Sequence, residues 1–98
     1  MTPFRIRYTP VAAESIRRLH PSVKQAVRQE IRSLAADTTR GHPLTFELTG
    51  FRSLRVSRYR VIYYRVREAD RTVEIHLVGS RKDIYEVFRE FLEQAGQG

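Results

Sequence analysis

Cysteine is absent from this 98-residue sequence, which excludes disulfide bonds and metal sites built on thiolates. No apolar run approaches the roughly 20 residues that a membrane-spanning helix needs, and no apolar signal-peptide segment follows Met1. Internal repeats, low-complexity tracts and interdomain linkers are also missing. We therefore expect one cytoplasmic domain over residues 1–98, with an ordered part of about residues 3–94.

Acidic residues are scarce in the first two thirds of the chain. Residues 1–67 contain fourteen Lys and Arg against four Asp and Glu, a net charge of +10, whereas residues 68–98 carry a net charge of −3. Sixteen of the eighteen basic residues are arginine, the side chain best suited to bidentate contacts with phosphate. A body this basic predicts a polyanionic partner, an acidic protein partner, or both; a basic surface that is merely solvated is the alternative.

The first half of the sequence predicts a strand followed by a helical hairpin. Residues 4–8 alternate apolar and basic side chains with the period of a strand. Thr9 and Pro10 then provide an N-cap and a proline suited to the first helical turn. A second helix is expected after a turn at His20-Pro21. The apolar faces of the two helices consist of Ala12, Ile16 and Leu19, and of Val23, Val27, Ile31 and Leu34.

The second half predicts a three-stranded meander and a C-terminal helix. Strands are expected at residues 52–56, 59–67 and 72–78, after a turn-rich connector at 37–43 and a short extended piece at 45–48. The last helix is expected to start at a capping serine, Ser80. Its apolar stripe consists of Ile84, Val87, Phe88, Phe91 and Leu92.

These elements predict an α+β fold in the order β-α-α-β-β-β-α. The helical hairpin is expected to pack on a mainly antiparallel four-stranded sheet, because the first strand must join the meander to be stable. On the third strand of the chain, the inward set is expected to be Tyr59, Val61 and Tyr63. The opposite set would lie on a partly open face that suits binding better than a dry core; it consists of Arg60, Ile62 and Tyr64.

The stretch from Arg52 to Arg67 is the most informative part of the chain. It holds six arginines and no carboxylate, and it alternates the arginines with Leu, Val, Ile and Tyr at strand-like spacing. A sheet face that presents guanidinium groups beside aromatic rings is suited to binding phosphate. Alone, this pattern indicates a polyanion-binding surface.

Four segments in this half jointly resemble the RelE/ParE toxin superfamily. They are Leu54-Arg55-Val56, Tyr59-Arg60-Val61-Ile62-Tyr63, Val78-Gly79-Ser80-Arg81, and Tyr85 on the last helix. The N-terminal strand and the hairpin with His20-Pro21 fit as well, so the resemblance spans about residues 3–92. It implies a toxin of a type II toxin–antitoxin pair, whose cognate antitoxin is expected to be acidic or to carry a DNA-binding N-terminal domain.

The resemblance implies one of two targets. RelE-like members cut mRNA in the ribosomal A site by attack of a ribose 2′-OH on the adjacent phosphate, which arrests translation. ParE-like members inhibit DNA gyrase and need no ribonuclease site. We expect the first activity, with the ribosome and mRNA as partners; gyrase inhibition and a ribosome-binding protein without toxicity are the alternatives.

Three residues match the catalytic positions of the RelE-like branch. Arg60 matches the arginine that stabilises the phosphate, and Arg81 matches a second arginine after the glycine that ends the last strand. Tyr85 matches a tyrosine that stacks on a base or transfers a proton. If the helix begins at Ser80, Arg81 and Tyr85 lie one turn apart on one helix face. Further contacts to phosphates and bases are expected from Arg52, Arg55, Arg58 and Tyr64.

The general base is where this sequence departs from the family pattern. Ribonuclease members often place lysines two residues apart on the strand before the Tyr-Arg motif, and one of them is the proposed base. Here that segment reads Arg52-Ser53-Leu54-Arg55. An arginine side chain does not deprotonate a hydroxyl, because its pKa exceeds about 12.

Histidines are the other candidate acids and bases. His20 is interpreted as structural, since it lies in the turn between the helices. His42 in the connector and His76 on the last strand are candidates for proton transfer; His76 shares its parity with Glu74 and Val78, which predicts that it reaches the open face. No pair of histidines has metal-ligand spacing with further donors, so neither a metal nor another cofactor is expected.

Overall fold

A computed structural model describes residues 3–65 and 69–97, apart from the side chains of residues 64, 65 and 95–97. The predicted α+β class is confirmed. The elements are β1 (Arg5–Tyr8), α1 (Pro10–Arg17), α2 (Pro21–Ser33), β2 (His42–Pro43), a 3₁₀ turn (Phe46–Leu48), β3 (Phe51–Val56), β4 (Tyr59–Arg65), β5 (Thr72–Ser80) and α3 (Ile84–Gln97). Residues 66 and 67, the predicted end of the β4 strand, lie outside the described residues.

The sheet has five strands in the order β1-β5-β4-β3-β2, so the prediction of four strands is wrong. The additional strand, β2, is only two residues long and pairs His42 with Ser53 and Pro43 with Arg52. Such a short strand has no periodicity by which a sequence can reveal it. The sheet is mixed rather than antiparallel throughout, because β1 runs parallel to β5.

The hairpin of α1 and α2 covers one face of the sheet, here called the hairpin face. Thr9 caps α1 as predicted, since its hydroxyl accepts the Ala12 N–H at 3.0 Å. His20 caps α2, with its Nδ1 3.3 Å from the Ser22 nitrogen, which gives this histidine a structural role. The inward set on β4 is confirmed at Val61 and Tyr63, both fully buried; the core beneath the hairpin also includes Ala12, Ile16, Val27, Ile31, Leu34, Leu54, Val56, Val73, Ile75 and Val78.

Helix α3 packs on the opposite face, here called the α3 face, which is therefore less open than the sequence predicts. Ile62, expected on an open surface, is fully buried there. The cluster beneath α3 consists of Leu48, Ile62, Leu77, Ile84 and Phe88. Gly79 allows the close approach at the start of the helix, because a Cβ at this position would lie 2.6 Å from Ile84 Cδ1.

The beginning of α3 also differs from the prediction. Gly79 and Ser80 still pair with Arg60 and Tyr59 of β4, so the strand continues to Ser80 and the helix starts only at Ile84. Arg81 consequently lies in the intervening turn and not on a helix face with Tyr85. Their relation is set by tertiary packing instead of helical spacing.

Buried polar side chains fix the connector between α2 and β3. The Tyr63 hydroxyl donates to the Thr38 carbonyl at 2.7 Å and accepts the Gly41 N–H at 3.1 Å. Arg52 donates to the carbonyls of Gly41 at 2.6 Å and Thr39 at 3.1 Å. These bonds hold His42, the next residue, against β3.

The segment after β2 forms a 3₁₀ turn at Phe46–Leu48 and not the extended piece expected at 45–48. An ion pair of 2.5 Å between Glu47 Oε1 and Arg89 Nε joins this turn to α3.

No helix in the described part of the chain is long and apolar enough to cross a membrane.

Candidate functional site

Two arginines face each other on the α3 face of the sheet. Arg55 of β3 and Arg60 of β4 are directly opposed in the antiparallel register, and Gly79 of β5 lies on the other side of Arg60. Directly opposed side chains have Cβ atoms about 4.5–5.5 Å apart, so two arginine side chains extend from neighbouring positions here. Arg55 is exposed, and Arg60 is half-buried with its Nη1 donating to the Tyr59 carbonyl at 3.0 Å.

Helix α3 brings a phenol to the same face. The Tyr85 hydroxyl lies 2.9 Å from Ser53 Oγ, and Ser53 precedes Arg55 by two residues on β3. His42 of β2 is opposite Ser53 in the register, on the other side of the strand from Ile62. The α3 face therefore carries two adjacent rows, one with the arginine pair and one with an imidazole, a hydroxyl and a phenol.

A second group of cations lies at the end of the sheet. The Arg81 N–H donates to the Arg58 carbonyl at 2.7 Å, which joins the β3–β4 turn to the turn before α3. A hollow of about 510 Å³ opens beside this bond, lined by Arg58, Ser80, Arg81 and Lys82. The two predicted arginines Arg58 and Arg81 are thus brought together, at the end of the sheet where Arg55 and Arg60 lie.

Within the described part of the chain, these cations lack carboxylate partners. Among the described residues, none of Arg55, Arg58, Arg60, Arg81 and Lys82 forms an ion pair, whereas Arg17 and Arg89 elsewhere on the surface do. The like-charge pair Arg55–Arg60 is unfavourable within a sheet. Uncompensated positive charge at one end of one sheet face is the arrangement expected of a phosphate-binding surface.

Two residues predicted to contact RNA are not part of this group. Arg52 lies on the hairpin face, opposite Tyr63, and its guanidinium binds connector carbonyls. Tyr64 belongs to β4, but its side chain lies outside the described part of the structure.

His76 is also separated from the arginine pair, although it lies on the α3 face. Ile62 pairs with Leu77 and Tyr63 pairs with Ile75, which leaves His76 unpaired at a β-bulge. Because of this bulge, His76 and Val78 point to opposite faces of the sheet, although they are two residues apart. Gly79, the neighbour of Arg60, is three residues further along β5, about 10 Å by strand geometry.

The surroundings of His76 favour packing over catalysis. The imidazole makes edge contacts with Phe51 and Phe88, at centroid distances of 5.0 and 6.1 Å. Its Nε2 is 3.0 Å from Glu74 Oε1, an ion-pair distance without the alignment of a good hydrogen bond. Burial lowers the pKa of His76, and the carboxylate of Glu74 opposes that shift only in part.

Ser53 is the site residue that sequence reasoning missed. Its signal was present, because it occupies the segment in which the family pattern places lysines. A small neutral side chain does not by itself indicate a role there. The contact of Ser53 with Tyr85 spans 32 residues of sequence, so local spacing does not predict it. No group of three or more histidine or carboxylate side chains among the described residues is arranged to hold a metal ion.

Comparison with known proteins identifies the family of the chain. A sequence model of the family described as the ParE toxin of the type II toxin–antitoxin system parDE matches residues 6–85. The chain belongs to the RelE/ParE toxin superfamily. A curated member, Toxin RelG of Mycobacterium tuberculosis, is 35% identical over 85 residues, which make up 85% of this chain and 97% of that protein.

Solved structures of the superfamily share the fold. The toxin–antitoxin complex RelBE2 of Mycobacterium tuberculosis contains a chain that matches with a TM-score of 0.74 and 31% identity, over 81% of this chain and 99% of that one. A mutant of the Escherichia coli toxin RelE in the free state matches with a TM-score of 0.72 and 18% identity, over 96% and 98% of the two chains. The second likeness concerns the fold alone.

Proposed function

We propose that this toxin is a ribosome-dependent mRNA endonuclease. The observation that supports it best is the position of the Tyr85 phenol, which α3 brings to the sheet face that carries Arg55 and Arg60. A group able to transfer a proton thus lies beside a group of cations able to hold a phosphate. A protein that only bound a partner would need no such juxtaposition.

The reaction is attack of the ribose 2′ oxygen on the adjacent phosphorus, which forms the O2′–P bond and breaks the P–O5′ bond. Negative charge increases on the non-bridging oxygens in the transition state, and preorganised cations stabilise it there. Arg60 and Arg55 supply that charge in this proposal, while Arg58 and Arg81 bind a neighbouring phosphate. The products are a 2′,3′-cyclic phosphate and a free 5′-hydroxyl.

Two protons must move during this reaction. A phenol is protonated at neutral pH and can donate, whereas a neutral imidazole can accept. Tyr85 is therefore assigned as the acid that protonates the leaving 5′ oxygen, and His42 as the base that takes the proton of the 2′-OH. His42 fits this role better than His76, because it is opposite Ser53 in the register while His76 packs among aromatic rings.

Ends of messages mapped after toxin induction test the proposal. In cells with the wild-type toxin, we expect cuts in register with the codons of translated messages. Tyr85→Phe should remove these cuts, while Tyr59→Phe should not, because Tyr59 lies on β4 opposite Val56 of the hairpin face. Intact messages after growth arrest by the wild-type toxin would contradict the proposal.

Inhibition of DNA gyrase is the second candidate, since the matching family model is that of the ParE toxins. It requires no chemistry at Tyr85. Gyrase-dependent DNA breaks with intact messages, produced equally by the wild type and Tyr85→Phe, would favour it. The cognate antitoxin is the proposed partner in either case, and it should prevent growth arrest when produced together with the toxin.

A further inference from the structure

Ser53 is a buried polar residue in the middle of the α3 face. Ser53 is 3% exposed and lies on β3 between His42 of β2 and Ile62 of β4 in the register. Its hydroxyl has one protein partner in the described structure, the phenol of Tyr85 at 2.9 Å. A buried hydroxyl without a partner is costly, so this contact fixes where the phenol lies.

The contact also determines how the phenol is oriented relative to the arginines. Ser53 and Arg55 point to the same side of β3, because strand side chains alternate. Held on Ser53, the half-buried phenol therefore lies one row from the Arg55–Arg60 pair, with part of its surface facing solvent. A phenol that had lost this contact could rotate away from that row about two side-chain bonds.

We propose that Ser53 is the positioning residue of the site, holding the phenol of Tyr85 for protonation of the leaving 5′ oxygen. This role rests on the proposed ribonuclease function. For this role the Ser53 O–H must donate to the phenolic oxygen, which leaves the phenolic proton free to point at the RNA. As the P–O5′ bond breaks, that proton passes to O5′, and the resulting phenolate keeps the hydrogen bond from Ser53. Solvent then takes the proton from His42 and returns one to the phenolate, which restores both groups.

The inference also explains how this chain works without a lysine in the segment. A lysine at position 53 would place a third cation beside Arg55 and Arg60, directly under α3. Serine instead supplies a neutral donor that fits in a buried position. The arginine pair then supplies the positive charge. Tyr85 and His42 carry out the two proton transfers.

A purely structural role for Ser53 makes a different prediction. Ser15 offers the comparison, since its hydroxyl holds α1 on the sheet by accepting the Val78 N–H at 3.2 Å on the hairpin side. If Ser53 only fastened α3, loss of either hydroxyl would lower stability and leave cleavage by the folded protein unchanged. If Ser53 positions Tyr85, its loss slows cleavage by protein that remains folded.

The test is single-turnover cleavage of a ribosome-bound message by purified toxin. We expect Ser53→Ala to lower the maximal rate by about tenfold to a hundredfold, since small displacements of a reacting group have effects of that size. The toxin concentration at half-maximal rate should not change. In a Tyr85→Phe background, Ser53→Ala should cause no further loss. Ser15→Ala should cut at the wild-type rate.

A second variant separates loss of the donor from loss of the fold. Cysteine is close to serine in size and is a much weaker donor. If Ser53→Ala does not fold, Ser53→Cys should still fold and still lose rate, while Ser53→Thr, which keeps the hydroxyl, should restore it. Thermal unfolding of each variant shows which protein is folded.

The outcomes distinguish the two proposals. If the wild type cuts and folded Ser53→Ala and Ser53→Cys cut as fast, the role of Ser53 is wrong while the ribonuclease stands. If the wild type itself leaves ribosome-bound messages intact, the ribonuclease proposal is wrong and the role of Ser53 goes with it.

Discussion

Arg55 and Arg60 lie directly opposite each other on β3 and β4, and neither forms an ion pair among the described residues. Opposed like charges reduce the stability of a sheet by about 0.2–1 kcal/mol. Among the described residues, no contact on the α3 face requires two arginine side chains there. A pair that costs stability without a packing purpose is most simply explained by a ligand that carries the missing negative charge.

Removing the charge of Arg60 should therefore separate activity from stability. Arg60→Gln keeps the aliphatic stem of the side chain, so we expect growth arrest to disappear while the free energy of unfolding is unchanged or higher by about 0.2–1 kcal/mol. Denaturant titration and induction in cells measure the two effects. Arg17→Gln is the matched control, since it removes an exposed arginine paired with Glu14 at 2.7 Å and should leave growth arrest intact. A large loss of stability in Arg60→Gln would show that the pair is structural.

Arg81 should be needed for toxicity and dispensable for folding. Its side chain is exposed in the turn before α3, and the hydrogen bond that fixes the turn comes from its backbone N–H. We expect Arg81→Ala to relieve growth arrest with a melting temperature close to that of the wild type. Arg89→Ala removes a nearby arginine that is paired with Glu47, and it should remain toxic. Equal toxicity of the two variants would contradict the role of Arg81.

The hydroxyl of Tyr63 should contribute more to the free energy of unfolding than the hydroxyl of Tyr59. Tyr63→Phe removes two buried hydrogen bonds and leaves the Thr38 carbonyl and the Gly41 N–H without that partner. We expect the free energy of unfolding to fall by about 1–3 kcal/mol. Tyr59→Phe is the comparison, because the Tyr59 phenol makes no hydrogen bond in the described structure; it should change stability little. Equal effects of the two variants would mean that the connector is not held by Tyr63.

Gly41 should tolerate no side chain. An added Cβ would lie 2.8 Å from the Ser53 carbonyl oxygen and 2.9 Å from the Tyr63 ring, both in the buried part of the sheet. We expect Gly41→Ala to destabilise the protein by about 1–3 kcal/mol, as overpacking commonly does. It should also reduce toxicity, because the displaced segment carries His42. Chemical denaturation measures the first effect, and a stability equal to the wild type would show that the connector can shift freely.

His76 should make stability depend on pH. Burial holds its pKa below the ordinary value of 6.5, so the folded protein binds fewer protons at this imidazole than the unfolded chain does. The free energy of unfolding should therefore fall as the pH decreases from about 6.5 toward the lowered pKa, even though Glu74 and its partner Arg7 stand beside the ring. His76→Gln should flatten this slope in denaturant titrations at several pH values. An unchanged slope in this variant would contradict the prediction.

Periodic patterns were the part of the fold that sequence reasoning recovered. The Thr9 cap, the apolar faces of α1 and α2, and the meander of β3, β4 and β5 depend on local spacing, which a single sequence displays. The two-residue strand β2 and the parallel pairing of β1 depend on tertiary contacts, and local spacing is silent about both. Local spacing does not reveal the bulge at His76 either. One unpaired residue there reverses the face to which each later side chain of the strand is expected to point.

The candidate site likewise contains residues that the sequence predicts and a residue that only the tertiary structure reveals. Arg60, Arg81 and Tyr85 were expected from the resemblance, and Arg55 and Arg58 from the arginine-rich segment. The structure brings the four arginines to one end of the sheet, with Tyr85 on the α3 face. Arg52 was expected beside them, but strand alternation turns it to the hairpin face, where it binds carbonyls. Ser53 could not be predicted, because its candidate role depends on the tertiary contact between Tyr85 of α3 and Ser53 of β3.

The parallel pairing of β1 with β5 has a consequence for the order in which the toxin folds during synthesis. Arg5 pairs with Thr72, so the first strand has no neighbour in the sheet until most of the chain has left the ribosome. Arg81 and Tyr85 emerge later still. Contacts between residues this distant in sequence form slowly, because a long loop must close first. A nascent chain therefore passes through nearly its whole synthesis before the residues of the proposed site can come together.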